Sequence, residues 1–161
     1  MLLRAAVIPD LPALLDVQEA GAVRALAAIF PQDVHPFPRA ALRARWEAEL
    51  ADPDVAVYVV ERTAGVIEGF AAVRGDELLH FGTAVATWGT GLAAAAHDEL
   101  VARFAAAGAA SARLRVFAAN HRARRFYEKM GWRPADRWSR SSFPPYPVLL
   151  EYRREIPAGR R

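Results

Sequence analysis

The 161-residue chain contains no cysteine, and that single absence removes several chemistries at once. A thiol nucleophile, a thiolate zinc site and a disulfide framework are all excluded. Lysine is nearly absent too: 20 of the 21 basic residues are arginine, with Lys129 the exception. No apolar run approaches the roughly 18 residues of a membrane helix, and Met1–Asp10 lacks a cationic start followed by a long apolar stretch. A cytoplasmic protein with no membrane partner is the expectation. Repeats, low-complexity tracts and Ser/Gly linkers are also missing. One domain is therefore expected over 1–156, with a flexible C-terminal tail over 157–161. A domain of this length buries roughly 70% of its unfolded surface, so it needs neither disulfides nor a structural metal, and no metal is expected.

What is present is ordinary for a globular domain: 53% hydrophobic and 24% charged residues. The pI of about 9.8 invites a nucleic-acid reading. The net charge is only +3, however, and the arginine excess accompanies an abundance of alanine, a compositional habit rather than a binding surface. Position is more informative than the total. Residues 1–112 carry 8 basic and 14 acidic side chains, whereas residues 113–140 carry 9 and 2. An acidic front followed by a basic stretch of +7 points to one localised anionic ligand.

The hydrophobic patterning predicts mixed α/β structure. Leu2–Val7 reads as a strand. Asp10 caps a helix whose apolar side is supplied by Leu14, Leu15, Val23, Leu26 and Ile29. Three prolines make Phe30–Pro38 a loop, and a second helix runs over Arg39–Ala51 with Leu42, Trp46 and Leu50 at four-residue spacing. Val55–Glu61 and Val66–Arg74 form a hairpin across Arg62–Gly65, and a third strand is Glu77–Thr83. A long helix spans Gly89–Ala107, with Gly108 as its stop. Ala112–Phe117 alternates as a strand with Arg113 and Arg115 on its exposed side. A helix from about His121 to Met130, and strands near Trp132–Ser139 and Val148–Arg154, complete the chain. Strands on both sides of the Gly89 helix make the centre a strand–helix–strand unit.

That helix opens on Thr83-Ala84-Val85-Ala86-Thr87-Trp88-Gly89-Thr90-Gly91-Leu92-Ala93. Glycines let the backbone approach a ligand, and free amides at a helix N-terminus favour phosphate oxygens, although both glycines can equally serve only to make the turn. A dinucleotide fingerprint would need a carboxylate about 20 residues on, at the end of the next strand. That strand ends Phe117-Ala118-Ala119-Asn120, which disfavours a nicotinamide site and leaves a phosphate loop.

The segment Asn120-His121-Arg122-Ala123-Arg124-Arg125-Phe126-Tyr127-Glu128-Lys129-Met130-Gly131-Trp132, taken with the glycine turn, resembles the GNAT family of N-acetyltransferases. The second motif matches at the strand-end Asn, the Ala three residues on, the aromatic pair ending in Tyr, and the Gly-aromatic close. The first matches at Gly89, Gly91 and Ala93, but has Trp88 where Gln or Arg is usual and Val85 where proline is common. The resemblance implies a single-domain fold with a central, mostly antiparallel mixed sheet, a splayed parallel pair of strands and helices on both faces. It further implies acetyl-CoA as acetyl donor, lying in that splay. Its pantetheine would meet backbone at Thr83 and Val85, its pyrophosphate would meet Trp88, Gly89, Thr90, Gly91, Leu92 and Ala93, and Asn120, Arg122 and Arg125 would add contacts.

Amine acylation by a thioester needs a neutral amine, a polarised carbonyl and a proton for the thiolate. Tyr127 can donate that proton; read alone it is better taken as a core aromatic beside Phe126, and Asn120 seven residues before it with Gly131 four after it reverse that preference. Asn120 can hydrogen-bond the pantetheine or simply cap the following helix. Glu77 and His80, on the strand that would carry the acetyl group, are candidate general bases. Asp33 and His35 in the proline loop, with Trp138, Phe143 and Tyr146 opposite, are candidates for the acceptor pocket. With no cysteine to carry an acyl group, direct transfer in a ternary complex with a primary amine is the expected reaction. The rival readings are a CoA-binding regulatory module without catalysis and a nucleic-acid-binding domain; the latter lacks interleaved aromatics. A homodimer is compatible with all of these.

Overall fold

The computed structural model describes residues 1–159. Its seven strands are β1 (Leu3–Ala5), β2 (Val55–Val60), β3 (Gly69–Arg74), β4 (Glu77–Thr83), β5 (Ser111–Phe117), β6 (Arg133–Arg140) and β7 (Val148–Glu155). The helices are α1 (Leu11–Ala25), α2 (Arg39–Ala51), α3 (Leu92–Ala106) and α4 (His121–Lys129). The strands form one sheet in the order β1-β2-β3-β4-β5-β7-β6. Every neighbouring pair is antiparallel except β4 and β5, the pair joined through α3, because a parallel step requires a crossover. That parallel pairing spans only Glu77↔Arg113 and Leu78↔Leu114, after which the strands separate. The sheet is thus mixed, mostly antiparallel and splayed at its one parallel step.

Helices cover both faces. On one, Leu92, Ala96, Leu100 and Phe104 of α3 and Tyr127 of α4 pack on Leu78, Leu114, Val116 and Tyr152. On the other, Leu11, Leu14 and Leu15 of α1 and Leu42 and Trp46 of α2 pack on Val57, Val59, Phe70 and Ala72. Each such large side chain, removed from water, contributes about 1.5–3 kcal/mol. Among the described residues no helix is long and apolar enough to cross a membrane.

Several boundaries differ from the sequence expectation, among them β1, which is shorter than Leu2–Val7, and three have a clear local reason. Helix α3 begins at Leu92 rather than Gly89, because Gly89 and Gly91 have φ of 80° and 89°, a left-handed conformation that a helix cannot contain. The β2–β3 ladder closes at Val60↔Gly69, so Val66 and Ile67 belong to a loop longer than a tight hairpin turn. Helix α1 stops at Ala25, before Leu26 and Ile29, and Val23 is 41% exposed rather than part of its apolar side. At the other end, Ile156 is buried and donates its N–H to the Ala110 carbonyl at 3.0 Å. Residues 157–159 of the expected tail follow as exposed chain; 160 and 161 lie outside the described residues.

The structure also contains a β-bulge that the alternation of strand residues does not announce. The register passes from Ala72↔His80 to Val73↔Leu78 and leaves Leu79 without a partner on β3. A bulge of this kind re-aims side chains. Leu78 and Phe81 pack on the α3 side, whereas Leu79 packs on the α2 side and the His80 ring lies 4.9 Å from that of Trp46, also on α2.

Candidate functional site

Where β4 and β5 part, a cavity of about 800 Å³ opens between them. Its walls come from the loop before α2, from α2 itself, from α4 and from the loop that follows β6. Of the residues singled out in the sequence, His35, Glu77, His80, Thr83, Trp88 and Ala93 line it, as do Asn120, Arg122, Tyr127 and Phe143. Gly89, Thr90, Gly91 and Leu92 form the turn between Trp88 and Ala93. Val85 borders a separate depression together with Asp16, Glu19 and Arg24. Arg125 is exposed on α4 and does not line the cavity. Asp33 also lies outside it, as do Trp138 and Tyr146, which are 66% and 52% exposed.

The glycine turn is a ready anion cradle. A Cβ at Gly89 or Gly91 would meet nothing within 4 Å, so the requirement for glycine there is conformational rather than steric. The N–H groups of Gly89, Gly91, Ala93 and Ala94 have no acceptor among the described residues, because the first α-helical bond of α3 starts only at Ala95, which donates to Gly91. Trp88 closes the other side of the turn. Its indole Nε1 donates to the Thr83 carbonyl at 3.0 Å, and the Arg122 guanidinium stacks 3.5 Å from its ring centroid. Burial first, and then the neighbouring Arg125, hold the Arg122 guanidinium below its ordinary value. An anion on Arg122 would relieve both effects.

Helix α4 places Tyr127. Asn120 is its N-cap, accepting the Ala123 N–H at 3.2 Å. Gly131, at φ 96°, ends it, and Trp132 then donates its N–H to the Tyr127 carbonyl at 2.9 Å. The aromatic after the glycine is thereby folded under the tyrosine, with the two rings 6.0 Å apart. Burial alone pushes the Tyr127 phenol above its ordinary range, so at neutral pH it carries its proton.

The opposite wall holds a pair that the sequence reading only half found. His80 Nε2 lies 2.8 Å from Glu49 Oε1. A carboxylate on Nε2 selects the tautomer protonated there and leaves Nδ1 as a lone pair. Glu77, the other candidate base, is 3.7 Å from both Arg113 and Arg115, at the end of β4 where the two strands still pair. Its carboxylate thus already faces two guanidiniums of β5.

Glu49, Arg45, Arg115 and Arg140 did not emerge as site residues from the sequence. A signal existed for the first two. Leu42, Arg45, Trp46 and Glu49 fall on the i, i+3, i+4, i+7 stripe of α2, so two charged residues occupy its buried face. The Arg45 Nε and Glu49 Oε2 atoms are buried with no hydrogen-bond partner among the described residues.

A model of the acetyltransferase (GNAT) family matches residues 22–132. Similar solved structures include a GCN5-related N-acetyltransferase from Rhodopseudomonas palustris, at 18% identity and TM-score 0.80, covering 96% of this chain and 94% of that one. Another is the ribosomal-protein-S18-alanine N-acetyltransferase from Escherichia coli, at 18% identity and TM-score 0.71, covering 99% and 96%. A third is the PaiA N-acetyltransferase from Thermoplasma acidophilum in complex with coenzyme A, at 16% identity and TM-score 0.71, covering 95% and 97%. At these identities the likeness is one of fold. No curated protein matches the chain.

Proposed function

The chain belongs to the acetyltransferase (GNAT) family, and from that premise we propose that it is an N-acetyltransferase moving the acetyl group of acetyl-CoA to a primary amine by direct transfer in a ternary complex. The observation that carries this reading is the composition of one cavity: the edge of the anion cradle, a protonated Tyr127 and His80, held from behind by Glu49, all border the gap between β4 and β5. The cradle suits a pyrophosphate, since its unpaired amides belong to a turn whose glycines leave the backbone bare. Trp88 takes the place of a polar side chain there without removing a single amide, and it supports Arg122 as a further cation.

Bound acetyl-CoA supplies the thioester carbonyl and a thiolate leaving group. His80, through Nδ1, takes a proton from the acceptor ammonium so that the nitrogen lone pair can attack. Glu49 holds the ring in the tautomer this needs and stabilises the imidazolium. Tyr127 gives its hydroxyl proton to the departing sulfur and regains one from the nitrogen, which sheds its second proton as the amide forms. The raised pKa of the phenol is no obstacle, because the same apolar surroundings raise that of the thiol. Asn120 serves as cap to α4 and so fixes the position of Tyr127.

Calorimetry with acetyl-CoA, followed by an amine screen that detects thiol release, tests the proposal. Micromolar-range binding with acetyl-CoA turnover that depends on an amine is expected. No binding overturns the assignment, and binding without transfer to any amine favours a regulatory CoA-binding module.

A further inference from the structure

The acceptor end of the cavity carries more positive charge than its own carboxylates balance. Three guanidiniums line it: Arg45 from α2, Arg115 from β5 and Arg140 from the end of β6. Two carboxylates are at hand for these three cations, and each is shared with a further group. Glu49 gives Oε1 to His80, and Glu77 stands 3.7 Å from Arg113 as well as from Arg115. Arg140 donates to the Tyr146 carbonyl, a neutral group, at 3.3 Å. Arg45 makes no ion pair within 4 Å among the described residues, its Nε is buried without a partner, and its guanidinium lies 5.7 Å from the Phe143 ring centroid. Burial holds the guanidinium below its ordinary value; Glu49, one turn away on α2, pulls the other way, and the like charge of Arg115 adds to the effect of burial.

A half-buried cation whose Nε is buried without a partner, lining the same cavity as a second cation, is costly unless something anionic completes it. Arginine's planar fork matches a carboxylate in two-point fashion. We propose that the acceptor is a small amine bearing a carboxylate, an amino-acid-like molecule whose carboxylate is held by Arg45 with Arg115 while its amine meets His80. The inference rests on the transferase reading above and narrows its substrate. The spacing is suitable: Glu49, which holds His80, and Arg45 are four residues apart on α2, about 6 Å along the helix axis. A short molecule can therefore reach both. Ser142, on the loop bordering the same end, adds a hydroxyl donor.

The test compares matched pairs of acceptors, each amino acid against its own α-amide, which keeps the amine and removes the negative charge. In the wild-type protein, kcat/KM for the acids should exceed that for the amides by about tenfold to a hundredfold, the range of a lost hydrogen bond to a charged group. In Arg45→Met that ratio should fall toward one, and Arg45→Lys should restore part of it. Calorimetry of N-acetylated amino acids against their amides, with CoA present, reads the same preference without turnover. It therefore separates failure of this proposal from failure of the transferase assignment. Equal handling of acid and amide by the wild-type protein in both measurements overturns the proposal, as does a ratio that Arg45→Met leaves unchanged. Should Arg45→Met not fold, the wild-type comparison and Arg45→Lys decide.

Discussion

Lowering the pH should destabilise this fold through one buried histidine. His97, on α3, is fully buried, and its Nε2 accepts the indole N–H of Trp132 at 2.8 Å. Its proton therefore sits on Nδ1, where the Asp98 Oδ1 atom, at 3.6 Å and on a largely exposed side chain, is too distant for a hydrogen bond. Protonating Nε2 would set two donors against each other and bury a charge near Arg154. Burial first, with Arg154 adding, accordingly holds the His97 pKa below its usual 6.5. The folded state then binds fewer protons than the unfolded chain between the two pKa values, so stability is complete above 6.5 and falls as pH drops below it. Each unit by which the fold depresses this pKa is worth about 1.4 kcal/mol of stability that acid removes. That is a sizeable fraction of a domain's total, roughly 5–15 kcal/mol. Urea unfolding at several pH values, on the wild type and on His97→Gln, isolates this contribution. Glutamine keeps an acceptor for Trp132 but does not titrate, and the other three histidines cancel in the difference. The variant should be less stable at neutral pH and visibly flatter toward acid. Parallel curves for the two proteins would refute the reasoning.

Three further outcomes follow from the site. Tyr127→Phe should lower turnover by a factor on the order of ten or more while acetyl-CoA affinity, by calorimetry, changes little; unaltered turnover removes the hydroxyl from the mechanism. Glu49→Gln should lower kcat by about tenfold, the low end of what a positioned acid–base group supplies, again with acetyl-CoA affinity maintained; loss of that affinity instead would mean that Glu49 acts on the fold. Gly91→Ala meets no neighbour but forces a methyl-bearing residue to φ 89°, at about 1–2 kcal/mol. It should weaken CoA binding more than it lowers the urea midpoint, and an unchanged dissociation constant would argue against the cradle.

The parts of this molecule that were legible in the sequence are those governed by local rules. Asn120 as cap and Gly131 as stop bracket α4 because capping and a left-handed glycine are short-range requirements. Leu114 and Val116 alternate with Arg113 and Arg115 because β5 has one core face. What could not be read depends on partners distant in the chain. Strict alternation would put His80 on the same face as Leu78, and only the bulge against β3 turns it toward Trp46 and Glu49. Arg45 and Glu49 share a stripe of α2 with Leu42 and Trp46, but what they face is set only when that stripe is laid against the sheet. Trp88 looks like a simple departure from the family pattern until its ring is seen beneath Arg122.

The basic block over 113–140 shows how such folding-level partners change the meaning of a charge count. Its nine cations against two carboxylates point to a localised anionic ligand, yet six of them have a partner inside the chain. Arg113 pairs with Asp76 and Arg115 with Glu77, while Arg122 lies on Trp88. Arg124 bonds the Tyr152 hydroxyl and the Ala118 carbonyl, Arg133 the Glu128 and Trp132 carbonyls, and Arg140 the Tyr146 carbonyl. Some of these contacts tie loops and helix ends together and leave little for a ligand. The exceptions are informative because they line the cavity: Arg122 near the glycine turn, and Arg115 and Arg140 at the acceptor end. The block thus resolves into two small anion-seeking groups at the two ends of one cleft. A donor that ends in phosphates and an acceptor that ends in a carboxylate would satisfy both at once, bringing thioester and amine together between them.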